Sequence, residues 1–258
     1  MKKILLSFIF LCFCGFASAQ EAGWEELRNY AGVIGSDLKI GMTLIVQGQD
    51  VHGVYFYNKW LKDIPIKGSL EDNRSVVLKE YDAKDVVTAV FKGRFADRAP
   101  EYGDSQLKYE VLEGTWSRPD GSESKKFRVL LDNATYRPQG KGRYYVAGFD
   151  DDRAVESFAQ KFWKAVVSKD RERVAGMVAY PVKVTIAGKD VEIKNKAALI
   201  KNYDHIFNKD FYERVKVAVP HNLFAKASGV MLGDKGEIWL GSVNDSVKVI
   251  AINNGAWK

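Results

Sequence analysis

Apolar and polar positions alternate with a period of two through much of the first half of the chain. Lys39 to Gln47, Val51 to Tyr57, Ile64 to Gly68, Val76 to Tyr81, Val87 to Phe95, Val111 to Ser117 and Lys125 to Asp132 are short and rich in β-branched and aromatic residues. That pattern predicts strands. Polar or glycine-containing stretches separate them, and Gln47-Gly48-Gln49-Asp50, Glu71-Asp72-Asn73 and Arg118-Pro119-Asp120-Gly121 have the chemistry of hairpin turns. With no helical period between the strands, the expectation is an antiparallel meander. Such a sheet closes into a barrel or pairs with a second sheet, because an open edge invites aggregation.

The period changes after Arg137 to Gly142, a run with a proline and two glycines that reads as a linker. Val155, Phe158, Ala159, Phe162 and Val166 follow helical spacing, with Lys161 and Lys164 opposite. Asp150-Asp151-Asp152 precedes them, where capping and the helix dipole favour negative charge. Its spacing lacks the alternation of a calcium loop. A second, shorter helix is expected from Asp170 to Val178, stopped by Pro181. A hairpin follows over Pro181 to Ile186 and Lys189 to Ile193, then a helix over Lys196 to Phe207 and a helical turn near Phe211 to Val217. Strands over Gly229 to Leu232, Glu237 to Ser242 and Val247 to Asn253 end the chain. The predicted class is α+β overall: an all-antiparallel β-barrel-like domain at 20–137, a linker at 138–149 and an α+β domain at 150–258.

The first residues predict a compartment. Lys2 and Lys3 precede a charge-free apolar run, Ile4 to Phe16, and Ala17-Ser18-Ala19 supplies small residues before Gln20. This is the pattern of a signal peptide (1–19) cut after Ala19. The run is too short for a membrane-spanning helix, which needs roughly 20 residues. Phe13 before Cys14 is bulky where lipoprotein processing needs a small residue. The expected mature protein is therefore periplasmic or secreted, with no transmembrane segment. Both cysteines lie in the leader, so disulfides are not expected to stabilise it.

The whole chain carries 39 basic and 33 acidic residues, a formal charge of +6. Loss of Lys2 and Lys3 leaves a dispersed +4, with no basic block of the kind that binds nucleic acid. Candidate chemistry is sparse. No Gly-x-Ser-x-Gly elbow, phosphate-binding glycine loop or metal-ligand spacing is present, so no catalytic residue, metal or cofactor is expected. Of the three histidines, His205 points away from the apolar stripe of its helix, and His52 lies on a strand beside a turn. His221, after Pro220, has the best position to face a pocket. Glu80 shares a strand face with Val76 and Leu78, and if that face is interior its carboxylate needs a partner. Tyr55, Tyr57, Trp60 and Trp116 are candidate binding aromatics, because such residues dominate interface hot spots.

The succession of two helices, a hairpin, a helix and a meander over Asp150 to Lys258 resembles the NTF2-like (SnoaL-like) α+β superfamily. The resemblance rests on element order. It implies a curved sheet wrapped around the longest helices. In enzymes of that superfamily, such as ketosteroid isomerases, it also implies an acid/base carboxylate at the mouth of the cone. Pocket-facing candidates on that basis are Trp163, Tyr180, Tyr203, Asp204, Glu237 and Trp239, none of which matches a family catalytic motif residue by residue. The first half is similar to a bacterial envelope β-domain, through Gly53-Val54-Tyr55-Phe56-Tyr57, Ile64-Pro65-Ile66-Lys67-Gly68, Leu78-Lys79-Glu80, Gly114-Thr115-Trp116 and the strand containing Phe127. Small exported β-barrels include inhibitors of lysozymes. The expectation is a non-catalytic binding protein with an envelope protein partner, inhibiting a cell-wall hydrolase or a toxin. The alternative is a small hydrophobic ligand bound or transformed in the cone.

Overall fold

The computed structural model describes residues 23–98 and 109–255. The leader assigned to 1–19 lies outside them. Eight antiparallel strands form a closed barrel: β1 (Trp24–Ile34), β2 (Leu38–Gln47), β3 (Asp50–Tyr57), β4 (Ile64–Leu70), β5 (Ser75–Tyr81), β6 (Val87–Arg98), β7 (Tyr109–Ser117) and β8 (Ser124–Pro138). Alternation turns Ile40, Met42 and Leu44 of β2, Val51 and Tyr55 of β3, and Val76 and Leu78 of β5 into one buried cluster. Phe91, Phe127 and Val129 complete it from β6 and β8.

Strand β1 was not expected. Its charged residues Glu25, Glu26 and Arg28 mask a strand whose Tyr30 and Ile34 face the barrel core and whose Leu27 is buried on the opposite face. It closes the barrel by pairing with both β2 and β8. At the register shift between Asn29 and Tyr30, the Asn29 side-chain amide donates to Asn133 Oδ1 at 2.8 Å. Thr43 Oγ1 in turn donates to Asn29 Oδ1 at 2.8 Å. Three strands are thus tied across the closing seam by side chains, those of Asn29 and Thr43 buried, that satisfy one another.

The second unit contains α1 (Asp152–Val167), α2 (Arg171–Gly176), the hairpin β9 (Val182–Ile186) and β10 (Lys189–Ile193), then α3 (Lys196–Lys201), α4 (Tyr203–Ile206) and α5 (Lys209–Val217). A four-stranded antiparallel sheet follows, in the order β11 (Phe224–Lys226), β12 (Gly229–Leu232), β13 (Ile238–Val243), β14 (Ser246–Ile252). Among the described residues, no helix is long and apolar enough to cross a membrane. Asp151 caps α1, accepting from the backbone N–H groups of Arg153 and Ala154. The helix expected over 196–207 is broken at Asn202, whose side chain donates to the Ala198 carbonyl and competes with the helical ladder there. Asn254 ties the hairpin to the rest: its side chain bonds both backbone groups of Thr185 and the Ile206 carbonyl.

The two units have separate buried clusters but share a wall. Thr43, Ile45 and Phe56 are on the outer face of the barrel and are nonetheless buried. The Phe56 ring meets His221 of the second unit edge to face at 4.5 Å. The segment expected as a bare linker is partly core. β8 runs to Pro138, and Tyr144 and Phe149 are buried in the second cluster.

Candidate functional site

The barrel mouth gathers the five residues singled out for binding. Leu38 opens β2, Tyr57 closes β3, Glu80 lies near the end of β5 and Trp116 near the end of β7, so antiparallel order brings all four to one end. There they line a cleft of about 320 Å³ together with Tyr55, Trp60 and the charged side chains Arg118, Glu123 and Lys125. Their environments differ. Tyr55 and Trp116 are buried, and the Trp116 indole N–H has no hydrogen-bond partner. Trp60, in the turn after β3, is 61% exposed. It meets Tyr57 edge to face at 5.0 Å, and Tyr57 meets Tyr55 at 5.5 Å. Arg118 lies over Trp116 at 5.6 Å. An aromatic run therefore leads from the barrel core out to solvent, flanked by both signs of charge.

Glu80 is half-buried at this mouth. It accepts from Tyr55 Oη at 2.5 Å and from Thr88 Oγ1 at 2.6 Å. Burial, and then the hydrogen bond to the Glu80 carboxylate, push the Tyr55 phenol far up from its ordinary value. Tyr55 is thus a donor in this pair at any ordinary pH.

The second concentration of polar groups is at the junction of the units. His221, its side chain 8% exposed, lies between two carboxylates. Nε2 is 2.8 Å from Asp63 Oδ1, in the β3–β4 loop, and Nδ1 is 2.8 Å from Glu156 Oε2, on α1. The Asp63 contact is an aligned hydrogen bond. The Glu156 contact is a close ion pair in which neither atom is aligned for a hydrogen bond. Glu156 Oε1 accepts from Tyr144 Oη and from the Asn222 backbone N–H at 3.0 Å, and lies 3.5 Å from an Arg143 guanidinium nitrogen. Tyr144 Oη accepts from Leu223 N–H at 3.0 Å. Burial opposes charge on His221, but the two carboxylates outweigh it and hold the imidazole up at about 9. Asp63 is held below its ordinary value: burial would raise it, but the His221 hydrogen bond and the nearby Arg143 charge prevail.

At neutral pH His221 therefore carries both protons and has no lone pair with which to act as a base. Its carboxylates lie on opposite edges of the ring and do not converge on one point. Among the described residues, no group of three His, Cys, Asp or Glu side chains is arranged to hold a metal. The junction is built as a latch.

No family model matches the chain, and no curated protein is significantly similar to it.

The residues proposed for a cone pocket have separate surroundings. Tyr203 is buried and stacks on Phe207 at 4.7 Å, while its neighbour Asp204 faces solvent and pairs with Arg171 at 2.9 Å. Glu237 is buried but committed to Arg214 at 3.2 Å and to the Lys235 backbone N–H. The Trp163 indole donates to the Val215 carbonyl, and Tyr180 Oη to the Ala175 carbonyl. Trp239 carries Lys226 over its ring at 4.7 Å. The Tyr203 hydroxyl is buried without a hydrogen-bond partner, whereas Glu237, Trp163 and Tyr180 have partners where they stand. His205 is exposed.

Sequence reasoning placed His221 toward a pocket but missed Asp63, Arg143, Tyr144 and Glu156. One signal for them was present: Arg143-Tyr144-Tyr145 directly follows the glycine-rich run, and aromatics there have no place in a free linker.

Proposed function

We propose that this chain is an exported, non-catalytic binding protein of the bacterial envelope that engages a protein partner through its barrel mouth, with a cell-wall hydrolase as the partner class. One observation carries the reading: Trp60 stands 61% exposed at the end of an aromatic run that leads into a cleft of about 320 Å³. A tryptophan in that position gains little from its own fold. It is suited to fill a pocket on a partner, and the surrounding Arg118, Lys125 and Glu123 supply a polar rim. The commitment of His221 to two ion pairs also supports a role without catalysis.

An NTF2-like arrangement of the second unit belongs to the same reading. It is supported by the element order, by the packing of β9 beside β14, and by the segment before β9, where Val178 bridges Val249 of β14 in parallel. The alternative of a hydrophobic ligand in the cone draws less support, because Phe162, Tyr203, Ile206 and Phe211 occupy the interior.

The test is direct binding of the purified protein to a panel of cell-wall hydrolases, with the residual lytic activity measured alongside. The expected result is a saturable complex that Trp60→Ala weakens tenfold or more, about 1.4 kcal/mol, with no change in melting temperature. Absence of any complex across the panel, or full binding by Trp60→Ala, overturns this partner assignment. Export is checked separately: the protein isolated from cells is expected to begin at Gln20.

A further inference from the structure

The junction holds a larger cleft, separate from the barrel mouth, of about 750 Å³. That volume is within the range of small-molecule sites, roughly 300–1,000 Å³. One wall is apolar and belongs to the barrel: Leu27, Ile45 and Val54 line it, with Leu61 from the β3–β4 loop. The other is the first two turns of α1, through Arg153, Ser157 and Gln160.

The charge around this cleft is unbalanced in number and in commitment. Its three acids are occupied. Asp152 accepts from the backbone N–H groups of Arg143 and Tyr144 at 2.7 and 3.1 Å. Asp63 and Glu156 hold His221. Its cations are less so. Arg137 pairs with Glu25 at 2.6 Å, but Lys62, Lys67 and Arg153 also line the cleft and make no ion pair among the described residues. Arg143 is the telling case. Its side chain is 10% exposed, its one ion pair is the long 3.5 Å contact with Glu156, and its Nε has no hydrogen-bond partner. A buried guanidinium N–H without an acceptor is costly, and a carboxylate or phosphate oxygen is the acceptor that its fork fits best.

We propose that this cleft binds an amphipathic anion, with its carboxylate or phosphate head at Arg143 and its apolar body along the barrel wall. The inference does not depend on the barrel mouth. It unites an apolar surface, which selects a hydrocarbon body, with cations in excess of acids, Lys62 and Arg153 among them without a partner among the described residues, which selects the sign of the head.

Calorimetric titration of the purified protein with decanoate, decyl phosphate and the uncharged decanol tests it. At least one of the two anions is expected to saturate at one per chain, with decanol at least tenfold weaker. The tighter anion identifies the head group. Ser157 is exposed on α1, so Ser157→Trp blocks the cleft without entering the core and is expected to weaken the anion at least tenfold at unchanged melting temperature. Lys62→Glu combined with Arg153→Glu is expected to do the same by reversing the rim charge, which keeps the test independent of whether Arg143 variants fold. Trp60→Ala is expected to bind the anion normally. Failure of both anions to saturate, equal binding of decanol, or undiminished binding by Ser157→Trp overturns the proposal.

Discussion

Glu80 occupies the point where the inward face of β5 runs out of barrel, and its two donors show how a carboxylate is kept there. Tyr55 and Thr88 both donate to it, and Tyr55 itself is buried. Glu80→Ala removes the acceptor and strands the Tyr55 hydroxyl, at a cost of about 2 kcal/mol in urea unfolding. Glu80→Gln keeps an amide oxygen for one donor and is expected to lose less than half of that. Glu80 was readable in advance because the period of two that buries Val76 and Leu78 turns it the same way. The Glu156 environment was not readable. On α1 it lies beside the stripe of Val155, Ala159 and Phe162, where a carboxylate ordinarily meets water. Its partners Arg143 and Tyr144 precede the helix and His221 and Asn222 come from the far segment after α5, and no local pattern records their meeting. Trp116, on β7, is held in the barrel, whereas Trp60, in the turn after β3, is left outside it, a difference that their shared aromatic character does not reveal.

At the scale of elements, the strands of the barrel press together most closely where glycine stands. A Cβ on Gly53 of β3 would lie 1.9 Å from the Thr43 carbonyl oxygen, and one on Gly114 of β7 would lie 2.0 Å from the Lys92 carbonyl oxygen. These positions let strands bend enough to complete a small barrel. Gly114→Ala is expected to cost about 3 kcal/mol by forcing β6 and β7 apart, read as a lower denaturation midpoint. Gly121→Ala is a poor comparison because of its positive φ, whereas Gly176→Ala, with nothing within 4 Å, is expected to be near neutral. Seven of the eight barrel strands were legible from their β-branched and aromatic content, and β1 was hidden by Glu25, Glu26 and Arg28 near its start. β11, three residues long, is held by β12 and offers too little pattern of its own. The break between α3 and α4 depends on the Asn202 side chain choosing a backbone partner, which spacing alone does not reveal.

At the scale of the molecule, the latch at His221 makes the union of the two units depend on pH. The imidazole is held at about 9 in the folded protein, above the ordinary 6.5. A group raised in this way contributes stability that is full below about 6.5 and is lost as pH rises through about 9. Asp63, lowered by folding, acts in the opposite direction: its contribution is present above 3.8 and fades on further acidification. The melting temperature is therefore expected to fall between pH 6.5 and 9.5, and His221→Asn is expected to flatten that slope while lowering stability at pH 6. A His221→Asn protein with the native slope would remove the imidazole as its source. The closing seam has a further consequence, for the order in which the chain acquires shape. Asn29 and Asn133, joined in the finished barrel, are 104 positions apart. No early partner satisfies both edges of β1, so a nascent fragment that stops short of Ser124 exposes unpaired edges on β1 and β7. Such a polypeptide has every reason to stay loose until the last barrel strand arrives, which is what the proposed export through a narrow translocation channel would require.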